Sequence, residues 1–265
     1  MTHKIEYKNT DIHYDVIGQG KTIVLLHGYL ETKQIWASFA EELSKNFKLI
    51  LPDLPGHSKS TWSNTAMTVE FMAESVKFIL DEEKVSKCML VGHSMGGYVA
   101  LAFLEQYPEV LNGLSLFHSS PYADREEKKQ NRDREINIIR QGKKAQVYTA
   151  HFPNTFAKDN VEKFINEIEG CKETAKNMKD DGIIAVLEAM KARPDRSEIL
   201  KATKIPIQYI IGEKDNFIPM EILNKLQLPD NSEVVVLENS GHMGFIEEKE
   251  NALEAISGFA NKDIV

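Results

Sequence analysis

The chain has 265 residues, of which 42% are hydrophobic, and a formal net charge of −8 at pH 7. This length and apolar content suffice to bury the core of one domain that carries an insertion. The negative charge argues against general attraction to nucleic acid or to acidic membranes. No segment approaches the roughly 20 apolar residues of a membrane span, and the first residues lack the apolar core of a signal peptide. We therefore expect a cytoplasmic protein without a membrane span.

The two cysteines, Cys88 and Cys171, are too few for a disulfide framework. Cys88 lies in an apolar run and is expected to be a small buried side chain, whereas Cys171 lies in a charged segment as a candidate free thiol. No His-x-x-x-His or Cys-x-x-Cys pattern indicates a metal site. The sequence thus predicts a reducing compartment, no bound metal and no cofactor.

Strand and helix patterns alternate along most of the chain. Residues 3–26 are predicted to form three short strands separated by polar and glycine-rich turns. Apolar spacing then predicts helices near 36–43, 69–80 and 95–106, and strands over 47–51, 88–91 and 111–117. Alternation of this kind predicts a parallel, doubly wound α/β sheet.

The alternation stops between Ser119 and Arg196. This stretch contains no convincing strand and is predicted to form helices near 124–141, 143–152, 159–171 and 173–192. Pro153-Asn154 and Gly170 are predicted breaks, and Pro194 a helix stop. Strands over 207–211 and 233–237 follow, with helices near 221–226 and 247–259. We expect a core of residues 1–118 and 197–265, and a helical insertion over residues 119–196.

The segment Gly92-His93-Ser94-Met95-Gly96 places a serine in a glycine-bracketed turn directly after an apolar run. This G-x-S-x-G pattern is typical of a nucleophile elbow, in which serine projects from a strained strand-to-helix turn. The bracketing positions must be nearly free of side chain for the turn to close. The following helix would direct the positive end of its dipole toward an oxyanion formed at the serine. Ser94 is the predicted nucleophile.

A serine nucleophile needs an acid and a base, in the chain order serine, acid, histidine. Asp215 follows the predicted strand over 207–211, and His242 follows the one over 233–237. Either residue alone could be an ordinary loop residue. Three residues that each follow a predicted strand, in the required order, favour a catalytic triad, with Glu213 as the alternative acid.

The segment His27-Gly28-Tyr29-Leu30, which follows the third strand, is predicted to complete an oxyanion hole. The backbone N–H of Met95 would supply one donor and that of Tyr29 the second. Tyr29 is assigned from its position, because a backbone donor leaves no side-chain signature.

Several side chains near these loops or on the helical insertion are predicted to contact substrate. They are Leu30, His118, Tyr148, Phe152, Phe217, Met243 and Phe245. Packing among the insertion helices explains Tyr148 and Phe152 equally well. An apolar pocket of this kind suits an acyl or aromatic group.

Taken together, His27-Gly28, the segment 53–58, the elbow, Asp215 and Gly241-His242 resemble the α/β-hydrolase superfamily. The resemblance implies an eight-stranded, mostly parallel sheet with helices on both faces and a helical cap inserted after strand six. Ser94 stands where dehalogenase and epoxide hydrolase relatives carry aspartate, so those reactions are not expected. Tyr29-Leu30 differs from the lipase-like and proline-iminopeptidase-like patterns. The remaining group resembles carboxylesterases, enol-lactonases and carbon–carbon bond hydrolases.

We therefore predict a serine hydrolase that cleaves a carboxylic ester, lactone or thioester of a small-molecule acyl substrate through an acyl-enzyme on Ser94. Two alternatives use the same residues. One is a carbon–carbon hydrolase or enol-lactonase acting on a ring-cleavage product, and the other is a ligand receptor that retains the triad without catalysis. Nucleic acid is not an expected partner, and the oligomeric state is left open.

Overall fold

The computed structural model describes residues 2–62 and 67–262. Eight strands form one sheet: β1 (Thr2–Tyr7), β2 (Thr10–Ile17), β3 (Thr22–Leu26), β4 (Lys48–Pro52), β5 (Cys88–His93), β6 (Leu111–Phe117), β7 (Ile207–Gly212) and β8 (Glu233–Leu237). Their order is β1-β2-β4-β3-β5-β6-β7-β8. β2 is antiparallel to both neighbours, and each pair from β4 across to β8 is parallel. The chain reverses its direction across the sheet at β3, where open α/β sheets form a ligand crevice.

Helices cover both faces of this sheet. They are α1 (Ala37–Leu43), α2 (Val69–Glu82), α3 (Met95–Gln106), α4 (Glu126–Arg140), α5 (Lys144–Thr155), α6 (Ile165–Lys176), α7 (Asp180–Ala192), α8 (Ser197–Ala202), α9 (Gly244–Glu247) and α10 (Lys249–Asn261). α2 packs against α3, and α1 packs against α10. β5 and β7 are buried along their whole length. Both strands are nearly continuous apolar runs because neither of their faces meets water.

The predicted sheet is confirmed, and two strands, Leu111–Phe117 and Glu233–Leu237, have the predicted bounds. The predicted helix over 221–226 is wrong, because the chain forms only a single 3-10 turn at Met220–Ile222. None of residues 221–230 is buried. Ile222, Leu223 and Leu226 pack against the core but are only partly buried, so packing gives little support to a helix this short.

Helices α4 to α7 make up the helical insertion, between β6 and α8. The predicted breaks at Pro153-Asn154 and Gly170 are wrong, because Pro153 lies in the last turn of α5 and Gly170 lies within α6. Proline at this position removes one helical hydrogen bond, but only two residues of α5 follow it, so a kink there disturbs little of the helix. The predicted stop at Pro194 is confirmed, since α7 ends at Ala192.

Two glycines of the helical insertion differ sharply in the space around them. A Cβ on Gly182, in α7, would lie 2.5 Å from the Gly56 carbonyl oxygen, whereas a Cβ on Gly170, in α6, would meet nothing within 4 Å. We expect Gly182→Ala to destabilise the protein by about 1–3 kcal/mol, because α7 must move away from the loop after β4. We expect Gly170→Ala to stabilise it by up to about 1 kcal/mol through helix propensity.

Urea unfolding of both variants measures this contrast, with Gly170→Ala as the matched control. A Gly182→Ala protein as stable as Gly170→Ala would mean that α7 and residue 56 are not in contact.

Candidate active site

Ser94 lies at the junction of β5 and α3 in a strained backbone conformation (φ 51°, ψ −113°). Its amide donates to the Phe117 carbonyl (3.0 Å), and its carbonyl accepts a hydrogen bond from the Ser119 hydroxyl (2.7 Å). A Cβ on Gly92 would lie 2.5 Å from the Gly96 carbonyl oxygen, and one on Gly96 would lie 2.4 Å from a backbone carbonyl oxygen of β3. The turn therefore requires glycine at both bracketing positions, as a nucleophile elbow does.

Asp215 and His242, in the loops after β7 and β8, are joined by a hydrogen bond from the imidazole Nδ1 to the carboxylate Oδ2 (2.8 Å). The other carboxylate oxygen, Oδ1, accepts the backbone N–H groups of Phe217 (2.7 Å) and Ile218 (3.0 Å). Burial alone would raise the pKa of Asp215, but His242 and His118 hold that pKa well below its usual value. The carboxylate is therefore ionised and is held through both of its oxygens.

His118, the residue after β6, brings a second imidazole to the same carboxylate oxygen. Its Nδ1 lies 3.1 Å from Oδ2 of Asp215, and its Nε2 accepts the Gly244 N–H at 3.2 Å. The Gly212 N–H also lies 3.1 Å from Nδ1, but only the Nδ1–H tautomer provides Asp215 with a donor and Gly244 with an acceptor. Burial lowers the pKa of His118 to about 4, so the ring is neutral at pH 7.

The expectation that His118 contacts substrate does not fit this placement. The side chain has no exposed surface, and both of its ring nitrogens are engaged by protein groups. His118 also adopts a positive φ of 49°, which directs the chain away from the sheet. We assign it to the support of Asp215 instead.

His93, the residue before Ser94, connects three loops through a buried ion pair. Its Nε2–H donates to the His242 carbonyl (2.9 Å), and its Nδ1–H donates to Glu31 (3.0 Å). The same Glu31 oxygen accepts the Gly28 N–H (2.6 Å). Burial alone would lower the pKa of His93, but Glu31 holds it above its usual value, while the pKa of Glu31 is lowered by His93 against the effect of its own burial. A cationic imidazole thus joins the loops that carry Gly28, Ser94 and His242.

The oxyanion loop, residues 27–30, is also held by a hydrogen bond between the His27 side chain and the loop after β4. The Nε2 of His27 accepts the Leu54 N–H at 3.0 Å, and Leu30 has a positive φ of 61°. Among residues 2–62 and 67–262, the backbone N–H groups of Tyr29 and Met95 have no hydrogen-bond acceptor. Two free amides at this place are what an oxyanion hole needs.

Aromatic rings line the approach to His242. The ring of Phe217 lies 5.1 Å from that of His242, and His151, on α5, lies 5.3 Å from Phe217. Tyr29 lies 5.6 Å from His151, and its hydroxyl donates to Glu135 on α4 (3.3 Å). Of the residues predicted to contact substrate, Phe217 and His118 both have ring contacts with the predicted base, and of these two only Phe217 is not fully buried.

The other predicted contact residues lie elsewhere. Phe152 and Met243 have no exposed surface, and Tyr148 packs half-buried against the core. Phe245 packs its ring 4.3 Å from that of Trp36, beneath the elbow. Leu30 and Phe245 also line a cavity of about 510 Å³ between α6 and α1, to which Ser94 does not contribute. The prediction that these side chains contact substrate gains no support from this arrangement.

The helical insertion is fixed to the loop of His242. The His242 N–H donates to the Thr155 carbonyl at the end of α5 (2.6 Å). The buried Glu247 carboxylate accepts the N–H groups of Ala157 (2.8 Å) and Gly241 (2.9 Å), and so bridges insertion and core. The insertion cannot move as a rigid body without disturbing these bonds.

Four residues of the site were not predicted from the sequence: Glu31, His93, His151 and Glu247. His93 was noted only as a neighbour of the elbow. Glu31 and Glu247 carry no recognisable pattern, because each also needs a partner far away in the chain, His93 for Glu31 and Ala157 for Glu247. His151 lies on an insertion helix whose orientation is decided by packing.

A possible metal-ligand cluster coincides with Asp215 and its two histidines. In the part of the chain that the structure describes, His118, Asp215 and His242 form the one set of His, Cys, Asp or Glu ligand atoms that lie within 4.8 Å of one another. The hydrogen bonds among them account for that proximity. No helix within the described ranges combines the length and apolar content needed to cross a bilayer.

A strained serine elbow on a sheet of this strand order defines an α/β hydrolase. The family model described as alpha/beta hydrolase fold matches residues 21–249, and the chain belongs to that family. A pimeloyl-[acyl-carrier protein] methyl ester esterase of Vibrio vulnificus (strain YJ016) is 27% identical over 273 residues, which cover 96% of this chain and 100% of the relative.

Two further relatives extend the comparison. A 2-hydroxy-6-oxononadienedioate/2-hydroxy-6-oxononatrienedioate hydrolase of Paraburkholderia phymatum is 27% identical over 274 residues, which cover 94% of this chain and 90% of that protein. The solved structure of a thermophilic esterase from Thermogutta terrifontis, with malate bound, is similar with a TM-score of 0.93 and 26% identity over 100% of both chains. The chain thus resembles full-length hydrolases from end to end.

Three histidines around the site, His27, His57 and His118, are buried in the neutral form. Burial lowers their pKa values from 6.5 to about 4, about 3 and about 4, respectively. Between pH 6.5 and about 4 the unfolded chain therefore binds more protons at these positions than the folded protein does. Acidification through this window is expected to reduce the free energy of unfolding contributed by each group.

His57→Asn tests this expectation, because asparagine retains an N–H that can replace the Nδ1 donor to the Pro55 carbonyl (3.3 Å). Between about pH 6 and pH 5, the free energy of unfolding should fall less steeply with acidification for His57→Asn than for the wild type. The two slopes should differ by up to about 1.4 kcal/mol per pH unit. Urea titrations at several pH values give both slopes. Equal slopes would be inconsistent with a neutral, buried His57.

Proposed function

We propose that the protein is a serine hydrolase that cleaves an ester-type bond, namely a carboxylic ester, lactone or thioester, of a small acyl substrate. Ser94 is the nucleophile, His242 the base and Asp215 the acid. The observation that carries this proposal is the 2.8 Å hydrogen bond between Asp215 and Nδ1 of His242. It leaves Nε2 as the nitrogen that can accept the serine proton. The hydrogen bond from the His93 imidazole Nε2 to the His242 carbonyl supports the pairing of this base with Ser94.

The reaction proceeds by acyl transfer to water. His242 removes the hydroxyl proton of Ser94 as its oxygen attacks the carbonyl carbon, and Asp215 stabilises the resulting imidazolium. The N–H groups of Tyr29 and Met95 stabilise the negative oxygen of the tetrahedral intermediate. Collapse of the intermediate expels the alcohol or thiol, which takes the proton from His242. Water, deprotonated by His242, then attacks the acyl-enzyme and releases the acid.

The helical insertion serves as a cap over this reaction. Its α5 ends in the Thr155 carbonyl that accepts the His242 N–H (2.6 Å), and the same helix carries His151 into the ring contacts beside His242. A cap fixed so close to the base limits the size and polarity of the group that can reach Ser94. Substrate selection is therefore a property of α4 and α5.

The names of the relatives support hydrolysis of an ester and leave carbon–carbon bond hydrolysis as one alternative. Two of the relatives above are esterases, one of them acting on a methyl ester of an acyl-carrier protein conjugate. The third is a hydrolase of an oxononadienedioate or oxononatrienedioate. Its similar identity favours, as the second candidate, hydrolysis of a carbon–carbon bond in a dienone by the same residues.

Ser94→Ala is the direct test of the proposed reaction. With a series of p-nitrophenyl esters of increasing acyl length, we expect the variant to lose activity by at least about 1000-fold, because the attacking oxygen is absent. Ser86→Ala is the matched control, because Ser86 is exposed before β5, at the opposite end of that strand from Ser94.

Wild-type hydrolysis no faster than that of Ser94→Ala, from a folded protein, would contradict the ester reading. Serine-dependent cleavage of a dienone substrate in that case would establish the second candidate. Tight ligand binding without turnover on either substrate class would indicate a receptor.

A second variant pair tests the role of His118. Asparagine retains an N–H donor near the position of Nδ1 and tolerates a positive φ, whereas leucine has a similar volume and no donor. We expect His118→Leu to lower kcat about tenfold with little change in KM, because Asp215 loses one of the two imidazole donors that orient it. His118→Asn should retain most of the activity. Equal losses in both variants, each verified to unfold cooperatively, would assign His118 to packing alone.

A further inference from the structure

His151 is a polar side chain of the cap that lies among the rings beside the predicted base. Its ring centroid is 5.6 Å from that of Tyr29 and 5.3 Å from that of Phe217, which itself lies 5.1 Å from His242. These contacts join the oxyanion loop to the base by way of α5. A substrate carbonyl held by the amide of Tyr29 and attacked next to His242 must lie alongside this row of rings.

The hydrogen-bonding state of His151 differs from that of the other histidines near the site. His27, His57, His93, His118 and His242 each have at least one ring nitrogen hydrogen-bonded to a protein group. Over residues 2–62 and 67–262, neither nitrogen of His151 has such a partner. Burial first, and His242 second, lower the pKa of His151 to about 4. The neutral ring therefore has one unused donor and one unused acceptor.

Packing alone does not explain a histidine at this position. The edge contact with Tyr29 and the contact with Phe217 could be made equally by phenylalanine, and the next residue, Phe152, is already fully buried against His151. A partly exposed polar ring that has no protein partner and lies between Tyr29 and Phe217 is available to hydrogen-bond to a bound ligand in place of water. The charged groups whose fields reach the ring are Glu31, Arg132, His93 and His242, and none of them is bonded to it.

We propose that His151 hydrogen-bonds to a second polar oxygen of the bound substrate, one carried close to the scissile bond by either the acyl or the alcohol part. The enzyme is then selective for esters with a neighbouring hydroxyl or carbonyl group over plain alkyl esters. This inference rests on the proposed function only in taking an ester bound at Ser94 as the substrate.

The variants His151→Phe and His151→Gln separate hydrogen bonding from packing. Phenylalanine retains a ring for Tyr29 and Phe217 but has no polar atom, whereas glutamine retains a donor and an acceptor without the ring. His3→Phe is the matched control, because His3 lies on β1, the outermost strand of the sheet on the side away from β8.

Three ethyl or hydroxyethyl esters serve as substrates in a pH-stat assay of kcat/KM. Ethyl butyrate is the plain reference, 2-hydroxyethyl butyrate carries the extra oxygen on the alcohol side, and ethyl 3-hydroxybutyrate carries it on the acyl side. We expect the wild type and His3→Phe to prefer one of the hydroxylated esters by about tenfold, as one added hydrogen bond allows. His151→Phe should lose that preference, measured as the ratio of kcat/KM on the hydroxylated ester to kcat/KM on ethyl butyrate, and His151→Gln should retain part of it.

The hydroxylated ester that the wild type prefers shows whether His151 contacts the acyl side or the alcohol side of the ester. No preference in the wild type in either arm would overturn the inference. An unchanged preference in His151→Phe, or an equal loss on all three esters, would overturn it as well.

A binding measurement separates this inference from the proposed function. The sample is Ser94→Ala protein labelled at histidine, in which the NMR resonance of His151 is identified by its loss in Ser94→Ala/His151→Phe. Ethyl 3-hydroxybutyrate or 2-hydroxyethyl butyrate should shift this resonance more than ethyl butyrate does. This holds whether or not the wild type turns the esters over. Identical shifts with all three esters, or no shift, would overturn the role of His151 even where Ser94-dependent hydrolysis is established.

Discussion

The close approach of backbone around Ser94 is the constraint on which the rest of the site depends. A Cβ on Gly92 would lie 2.5 Å from the Gly96 carbonyl oxygen, one on Gly96 would lie 2.4 Å from the Leu26 carbonyl oxygen, and one on Gly97 would lie 2.2 Å from the Ser119 hydroxyl. These contacts bring the ends of β3, β5 and β6 to one point. Ser94 keeps its strained, positive φ because the closely packed surrounding backbone does not allow the turn another conformation. The predicted oxyanion loop, the predicted nucleophile and the residues that support the predicted acid meet there for that reason.

Three buried carboxylates then fix the loops around the elbow. Asp215 holds the imidazoles of His242 and His118, Glu31 holds His93 and the Gly28 amide, and Glu247 holds the amides of Gly241 and Ala157. A carboxylate withdrawn from water is stable only when such donors surround it, so each one enforces the geometry of the loop that supplies them. The site is consequently rigid before substrate arrives, which is what electrostatic stabilisation of an oxyanion requires.

The helical insertion contributes to the site through one helix in two ways. The end of α5 accepts the His242 N–H through the Thr155 carbonyl, and one turn earlier the same helix presents His151 to the rings of Tyr29 and Phe217. Positioning of the base and contact with substrate are thus physically coupled. A change in the insertion that altered the pocket would also move the loop of the base, so reaction and selectivity are not independent in this protein.

The sequence by itself determined the nucleophile elbow, the chain order of Ser94, Asp215 and His242, and the strands that precede them. These features depend on local requirements: glycine where backbone approaches backbone, and apolar runs where a strand is covered on both faces. The prediction of a helix over 221–226 was wrong because the apolar side chains of this segment are only partly buried, and packing of that extent does not stabilise so short a helix. Only the tertiary structure decided that His118 contacts Asp215, and that Glu31, His93, His151 and Glu247 lie around the site. Their partners lie far away in the chain, and hydrogen bonds and ring contacts between such residues leave no periodicity or motif from which the pairing could be predicted.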